Sequence, residues 1–482
     1  MCATKRITAT FVATLFLHAA MEAPRAMAAD DLPEAKQVDA VFADLAKPGS
    51  PGCALAVARG GKIVYAKGYG LANIEENVPI TPQTVFDIGS TSKQFTAASI
   101  LLLEKQGKLS IDDDVRKYIP ELPDYGKKIR ILHLLNHTSG LRDYLTLFEL
   151  AGVNIDNVTT DEDALNLIVR QKALNFNPGS EWLYSNTGFF LLSIIVKRVS
   201  GKTLREFAAE NIFSPLQMSA TTYRDEHTQL VPNRALAYDP KEKSSGFSLD
   251  VSYFEQTGDG AVHTSVSDLL KWDENFYTAQ IGGKDFLLEL QQPGKLNSGK
   301  ELDYAKGLSV DKYRGLRTVR HGGSWGGYRA ELLRFPDQHF SVVCLCNLGT
   351  ARPSRRANQV AEVFLGSQMI AAKPAATAAD QEDDNPQKPK RVLSLTADQL
   401  KKFEGNYWSD ELQIMYRLSI ENDAFLLRIR NLPPRKLAAV ADNEFQITDV
   451  GVTLKMTASG DTINGFVLDA GRTRGMRFDK RP

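Results

Sequence analysis

The chain has 482 residues, 43% of them hydrophobic, and it carries 58 basic and 58 acidic side chains. This length exceeds that of one ordinary domain, so we expect one large and one small domain. Because the charges balance and form no basic block, the composition argues against nucleic acid or an anionic membrane as the main partner.

The first 28 residues have the features of a secretory signal peptide. Lys5 and Arg6 precede a largely apolar run over residues 7–20, and small residues stand at Ala26 and Ala28. The run is too short to span a bilayer comfortably, which disfavours the alternative of an uncleaved membrane anchor. We therefore expect cleavage after Ala28, export to a periplasm or the medium, and no stable membrane span after processing.

The elements predicted next along the chain follow an α+β plan. The Gly60-Gly61 turn joins two strand-like runs within residues 53–70, and helices dominate from about 90 to 279. Strands return between residues 318 and 347, before a closing helix at 358–365. This order predicts one antiparallel sheet made from both ends of the domain, with a helical insertion between them.

A composition change divides the remaining chain into a linker and a small domain. Residues 367–394 are rich in Ala, Pro, Asp, Gln and Lys, and they lack the apolar surface that would order them, so they are interpreted as a disordered linker. Residues 395–482 contain short runs of alternating apolar and polar residues, which predict a small all-β barrel. The main domain then comprises residues 29–366, after the signal peptide at 1–28.

Three cysteines remain after the predicted processing: Cys53, Cys344 and Cys346. All three lie in strand-like apolar runs, where a cysteine is commonly a small buried hydrophobe. Export nevertheless favours disulfides, and an odd number leaves one thiol over. The sequence leaves open whether Cys53 pairs with Cys344 or with Cys346.

The first candidate for chemistry is Ser90 with Lys93, at the start of an apolar helix. Residues three apart share one helical face, so the lysine can reach the serine hydroxyl. The helix N-terminus favours negative charge beside the nucleophile, and a partly desolvated lysine is a usable base. Ser309 and Lys312 have the same spacing, but they lie in a predicted strand, where residues three apart point to opposite faces.

Two further elements carry polar groups suited to a cleft. Tyr184 and Asn186 lie on a polar loop before the apolar helix at Phe189, where the tyrosine can exchange protons and the amide can bind a substrate. The sequence His321-Gly322-Gly323-Ser324 ends a predicted strand, where Gly323 allows close approach of substrate. The Ser324 N–H can complete an oxyanion hole with that of Ser90, and His321 offers a proton donor or a switchable charge.

Ser-x-x-Lys, Tyr-x-Asn and His-Gly-Gly, in this order, resemble the serine β-lactamase and penicillin-binding protein superfamily. The Tyr-x-Asn form is similar to class C β-lactamases and to the D-alanyl-D-alanine carboxypeptidases, D-aminopeptidases and esterases of peptidase family S12. The similarity spans about residues 38–365 and includes the stretches 133–141 and 259–261. The extra C-terminal barrel resembles that of D-aminopeptidase-like members.

The resemblance implies a β-lactamase/transpeptidase-like fold in which Ser90 is the nucleophile and forms an acyl-enzyme. It implies that Lys93 and Tyr184 share the general base and acid work and that Asn186 helps to hold a small-molecule or peptide substrate. Neither a cofactor nor a metal is needed for this chemistry. The oligomeric state is left open.

His321 stands where class C β-lactamases have a lysine. An unperturbed histidine, with a pKa of about 6.5, is mostly neutral at pH 7, so a substrate carboxylate loses a permanent partner. This favours a peptidase or esterase acting on D-residue peptides or esters over a true β-lactamase, which is the first alternative. A catalytically weak protein that binds cell-wall peptides is the second alternative.

Two other stretches partly match motifs of known catalytic sites. The sequence Gly322-Gly323-Ser324-Trp325-Gly326 matches a G-x-S-x-G nucleophile elbow, which must run from a strand into a helix, whereas a second strand is predicted to follow here. His133 and His137 have the spacing of a helical zinc pair, but Leu134 stands where the metalloprotease glutamate would be.

Overall fold

The computed structural model describes residues 32–154, 156–371, 392–447 and 450–482. The predicted signal peptide and residues 372–391 of the predicted linker lie outside the described residues. The helices are α1 Ala35–Val41, α2 Lys93–Lys105, α3 Ile131–Leu135, α4 Tyr144–Leu150, α5 Asp161–Val169, α6 Asn186–Ser200, α7 Leu204–Ala208, α8 Val266–Thr278, α9 Lys284–Leu290, α10 Pro353–Leu365 and α11 Ala397–Lys401. Within the described ranges, no helix combines the length and the apolar character needed to cross a membrane.

The strands fall into two groups along the chain. The first group is β1 Cys53–Arg59, β2 Lys62–Tyr69, β3 Leu71–Asn73, β4 Val78–Pro79, β5 Phe86–Asp87, β6 Thr222–Tyr223, β7 Ala237–Pro240, β8 Phe247–Asp250, β9 Val262–Thr264, β10 Ser309–Tyr313, β11 Leu316–Trp325, β12 Tyr328–Phe335 and β13 Phe340–Cys346. The second group is β14 Gly405–Ser409, β15 Ile414–Glu421, β16 Ala424–Ile429, β17 Arg435–Ala441, β18 Glu444–Ile447, β19 Val452–Ser459, β20 Thr462–Ala470 and β21 Thr473–Arg481.

The main sheet has six antiparallel strands in the order β10-β11-β12-β13-β1-β2, which confirms that both ends of the domain meet in one sheet. Gly60 and Gly61 make the predicted turn with φ of +56° and +73°, a backbone region that glycine enters without steric cost. Cys53 pairs with Cys346 across β1 and β13 and forms a disulfide with it, while Cys344 is a buried thiol.

The two faces of the sheet bury two separate cores because side chains alternate along a strand. Ala54 and Ala56 of β1 face the helical region, in the core that also contains Trp272 of α8. Leu55 and Val57 face the opposite way and pack with α1 and α10. Small residues on the first face let the helices lie close to the sheet, at the side where the functional residues are found.

The C-terminal strands β14–β21 close into an eight-stranded antiparallel barrel, as the alternating pattern predicted. The apolar residues of the alternating runs are buried and fill the barrel interior, among them Tyr407, Tyr416, Phe466 and Phe478. The fold is therefore α+β with an added all-β barrel, and the Tyr416 hydroxyl donates to the Leu150 carbonyl of the main domain at 2.7 Å.

Several element bounds differ from the predictions. Strand β11 runs through residues 321–324 instead of ending there, because glycines tolerate the close contact with the Ser90 turn. Helix α6 begins at Asn186, so this residue is helical and not in a loop, and α10 begins at Pro353 instead of near Asn358. Proline suits the first helical turn, where its missing N–H has no partner to lose.

Candidate active site

Ser90 lies in a 3-10 turn, Gly89–Ser92, that continues directly into α2. Gly89 has φ of +47°, and a Cβ added there would lie 2.7 Å from the Ser324 nitrogen. Only glycine lets the turn press against β11 in this way. The local sequence therefore places the Ser90 hydroxyl at the N-terminus of a helix and beside the backbone of a strand.

Lys93 is fully buried beneath Ser90, as its spacing predicted. Its Nζ donates to Ser90 Oγ at 2.9 Å, to Asn186 Oδ1 at 2.9 Å and to the Asp259 carbonyl oxygen at 2.7 Å. Burial lowers the pKa of Lys93 to about 7, and the opposing attraction of the Asp259 carboxylate only partly offsets this. The amine is thus able to exist in its neutral form near neutral pH, which a base requires.

Tyr184 lies next to this pair, with Lys93 Nζ 4.9 Å from its ring centroid. Burial raises the pKa of the Tyr184 hydroxyl, while the nearby Ser90 hydroxyl and Arg472 act to lower it. The Tyr184 oxygen is buried but forms no hydrogen bond of acceptable geometry with a described residue. Ser90 is nevertheless close enough to lower the pKa of this hydroxyl, so Tyr184 lies within reach of the nucleophile.

Asn186 is held at the start of α6 by Asp143, whose Oδ2 accepts from the Asn186 N–H at 2.6 Å. Its amide oxygen accepts from Lys93, so the side chain orients the lysine in addition to the substrate-binding role that the sequence predicted. Thr187, the next residue, donates to the Arg142 carbonyl at 2.7 Å. The chain around Arg142 and Asp143 therefore fixes this end of the helix.

Strand β11 forms the opposite wall. A Cβ on Gly323 would lie 1.9 Å from the Ile88 carbonyl oxygen, so this position admits no side chain. Thr91 Oγ1 donates to the His321 carbonyl oxygen at 3.1 Å and ties the turn to the strand. These contacts place the Ser324 backbone beside the Ser90 turn.

The two ring nitrogens of His321 are both engaged within the protein. Nδ1 lies 2.5 Å from the Gly322 carbonyl oxygen, which can only accept, so Nδ1 carries the proton. Nε2 then accepts from the Tyr304 hydroxyl at 3.0 Å. Burial and the nearby Lys93 lower the pKa of His321 to about 4. His321 is therefore neutral and does not supply the charge that the sequence analysis considered.

A cavity of about 940 Å³ brings the predicted groups together. It is lined by the predicted residues Ser90, Tyr184, Asn186, His321, Gly323 and Ser324. Lys93 lies below it and reaches it through Ser90. Arg472, from the turn between β20 and β21 of the barrel, also lines this cavity, so both folded parts contribute to the site.

Sequence reasoning did not assign roles to three contributors. Asp259 lies in the stretch 259–261 that carries part of the family resemblance, and its carboxylate accepts from the Tyr144 hydroxyl at 3.0 Å. Tyr304 lies before the predicted strands and belongs to no recognisable motif. Arg472 lies in a hairpin turn of a separate domain, where no local pattern reports a distant contact.

The rival sites are not supported by the fold. Ser324 lies within β11, and a tight turn leads to strand β12 instead of a helix, so the nucleophile-elbow interpretation is wrong. His133 is in α3, but His137 lies beyond it with φ of +56°, so they do not share a helical face. His137 instead accepts from the Ser185 N–H and packs 4.1 Å from the Tyr184 ring.

A serine hydroxyl bonded to a buried lysine, on a helix N-terminus beside a glycine-rich strand, defines a serine hydrolase site. Residues 38–365 match the family model described as Beta-lactamase. The chain belongs to the β-lactamase family, as the motifs indicated.

Known proteins similar to this chain extend the match to the barrel. Penicillin-binding protein 4* of Bacillus subtilis is 28% identical over 85% of this chain and 91% of its own length. The D-aminopeptidase of Gluconobacter oxydans is 30% identical over 62% of this chain, but the chain spans only 56% of that relative. The octameric penicillin-binding protein homologue from Pyrococcus abyssi has 25% identity and a TM-score of 0.63 over 92% of this chain and 99% of its own.

Proposed function

We propose that this serine hydrolase forms an acyl-enzyme on Ser90 and cleaves peptides or amides that contain D-amino acids. The observation that carries the mechanism is the 2.9 Å contact between the Nζ atom of the fully buried Lys93 and Ser90 Oγ, which lines the cavity. The substrate class is inferred from relatives named D-aminopeptidase and penicillin-binding protein.

The proposed acylation uses Ser90, Lys93 and Tyr184 in turn. Neutral Lys93 takes the Ser90 proton while Oγ attacks the substrate carbonyl carbon. The Ser90 and Ser324 N–H groups would stabilise the resulting oxyanion. Tyr184 gives a proton to the leaving amine as the C–N bond breaks, and it recovers one from Lys93. Water then hydrolyses the ester and restores Ser90.

The neutral, fully engaged His321 ring favours amide or ester substrates over β-lactams, because it offers no positive charge at the position where β-lactamases carry one. Burial of the Lys93 amine costs stability, and titratable groups with pKa values shifted by burial cluster at catalytic sites, which favours an active enzyme over a peptide-binding protein.

The test compares hydrolysis of D-alanine p-nitroanilide and L-alanine p-nitroanilide by the wild type, Ser90→Ala and Ser309→Ala. Ser309 is the matched control, since it has the same spacing to a lysine but lies in strand β10. We expect D-selective turnover that Ser90→Ala abolishes and Ser309→Ala preserves. Preference for the L-substrate would refute the substrate class, and activity remaining in Ser90→Ala would refute the mechanism.

We also propose that the protein is exported after cleavage behind Ala28. The Cys53–Cys346 disulfide supports an oxidising compartment, where such bonds persist. N-terminal sequencing of the protein from the periplasm or medium tests this. A start at Ala29 is expected, whereas an intact N-terminus in the cytosolic fraction would contradict it.

A further inference from the structure

Arg472 brings a cation from the barrel into the cleft of the main domain. It occupies the short turn between β20 and β21, and its guanidinium carbon lies 4.8 Å from the Tyr184 ring centroid. Of the described arginines, only Arg472 packs on this ring. A hairpin turn of the barrel therefore places a positive charge beside Tyr184, which is proposed to protonate the leaving amine.

The turn that carries Arg472 is fixed to the main domain. Asn175 Nδ2 donates to the Arg472 carbonyl at 2.9 Å, and Asn175 Oδ1 accepts from the Arg474 N–H at 2.8 Å. Arg142, which is buried, donates to the Arg474 and Gly475 carbonyls at 3.0 Å each. A turn held by four such bonds places its side chain reproducibly, as a specificity group requires.

The charge of Arg472 has no carboxylate partner among the residues that the structure describes. Its side chain is half-buried at the cavity wall, whereas the nearby Arg142 is paired with Glu411 at 2.6 Å. His321, on the opposite wall, is neutral and both its nitrogens are occupied. Arg472 is therefore a permanent positive charge that lines the same cavity as Ser90 and that has no carboxylate partner in the described part of the chain.

The position relative to Tyr184 indicates which end of a substrate would meet this charge. Tyr184 is proposed to protonate the leaving amine, and in a leaving amino acid the carboxylate carbon is only two bonds from that nitrogen. A guanidinium packed on the tyrosine ring is thus near the place where a terminal carboxylate would lie. Arginine binds carboxylates through two parallel N–H bonds, which gives orientation as well as attraction.

We propose that Arg472 of the barrel binds the terminal carboxylate of the substrate and directs the enzyme to the last peptide bond. This inference rests on the proposed function and names the substrate class more closely, as peptides with a free C-terminus. The barrel then acts as a specificity element and not only as an added fold.

The test uses two substrates with the same scissile bond, N-acetyl-D-alanyl-D-alanine and its C-terminal amide. For the wild type we expect kcat/KM to favour the free acid at least about tenfold, in line with a charge-assisted contact. Arg472→Ala should raise KM for the acid about 10- to 100-fold more than it raises KM for the amide, and Arg472→Lys should fall between; any change in kcat that comes from the loss of the cation beside Tyr184 should be the same for both substrates. Arg477→Ala is the matched control, because that β21 side chain is 76% exposed.

Protection of Ser90 from a neutral fluorophosphonate by the acid or the amide gives a readout that needs no turnover. Labelling that is retained in Arg472→Ala shows an intact nucleophile, while absence of labelling in the wild type would count against the proposed function itself. The proposal is overturned if acid and amide protect or react equally in the wild type. It is also overturned if Arg472→Ala lowers activity on both alike, or raises it on both, which would identify a structural or an obstructing residue.

Discussion

Replacement of Arg142 by alanine should loosen the barrel from the main domain. Arg142 Nη1 donates to Glu411 at 2.6 Å and to Gln171 at 2.9 Å, and the other two guanidinium nitrogens donate to two carbonyls of the β20–β21 hairpin. The side chains of Arg142 and Glu411 are 1% and 6% exposed, so this ion pair is buried between the two parts of the fold.

The size of the effect follows from the charge left behind. In Arg142→Ala, Glu411 keeps the Lys172 N–H at 2.7 Å but loses its counter-charge in a buried setting. Removal of one partner from a buried pair costs about 3–5 kcal/mol of the free energy of unfolding. The lost carbonyl contacts belong to the same network, so they are not added to this figure. Arg142→Met with Glu411→Leu should recover most of the loss, because no unpaired charge remains.

Urea unfolding followed by tryptophan fluorescence measures this change, since Trp408 reports on the barrel and Trp272 on the main core. Lys172→Ala is the control, because its pair with Asp410 joins the same two parts but is 65% and 52% exposed. We expect no measurable change for that control. Equal midpoints for Arg142→Ala and Lys172→Ala would refute the reasoning, and Glu411→Gln offers a milder variant if Arg142→Ala does not fold.

Two further outcomes follow from the site and a third from the main sheet. Burial lowers the pKa of Lys93 to about 7. Because the amine becomes protonated below this pH, kcat/KM on a neutral ester should fall as the pH decreases below 7 and should be constant above it. A flat profile from pH 5 to 8 would contradict this. Gly323→Ala should lower kcat/KM about 100-fold, because the added Cβ would lie 1.9 Å from the Ile88 carbonyl oxygen and would displace β11. Gly322→Ala should cost far less activity, because its Cβ comes no closer than 3.1 Å to the Glu331 carboxylate and 3.6 Å to any backbone atom. Equal losses in the two variants would show that the Ile88 contact does not matter. Non-reducing peptide mapping should join Cys53 to Cys346 and leave Cys344 as a thiol, and a Cys53–Cys344 peptide would show the pairing to be wrong.

Local patterns were sufficient for most of the architecture. Strand periodicity and the Gly60-Gly61 turn predicted the hairpin, because the alternation of buried residues is set by the pleat itself. The barrel followed from the same period-two signal. The bounds that differed were at β11, α6 and α10, where the sequence contains glycine, a polar cap or proline and the tertiary contacts decide where an element ends.

Sequence patterns predicted those contacts of the candidate site that join residues close together in the chain. Ser90 and Lys93 lie one helical turn apart, so their contact was visible from spacing. Other contacts depend on long-range packing: the Tyr304 hydroxyl donates to His321, and Arg472 of the barrel packs on the Tyr184 ring. No local pattern encodes such contacts, so the sequence left open whether His321 acts as a proton donor or a switchable charge, whereas in the structure it is a neutral ring hydrogen-bonded to Tyr304.

The most direct test of the account is the intact mass of the wild type and of Ser90→Ala after exposure to a fluorophosphonate, with peptide mapping of the adduct. The account predicts one adduct on Ser90 in the wild type and none in the variant, because Ser90 is the hydroxyl that Lys93 contacts. An adduct that persists in Ser90→Ala, above all on Ser324, would contradict the assignment of Ser90 as the nucleophile.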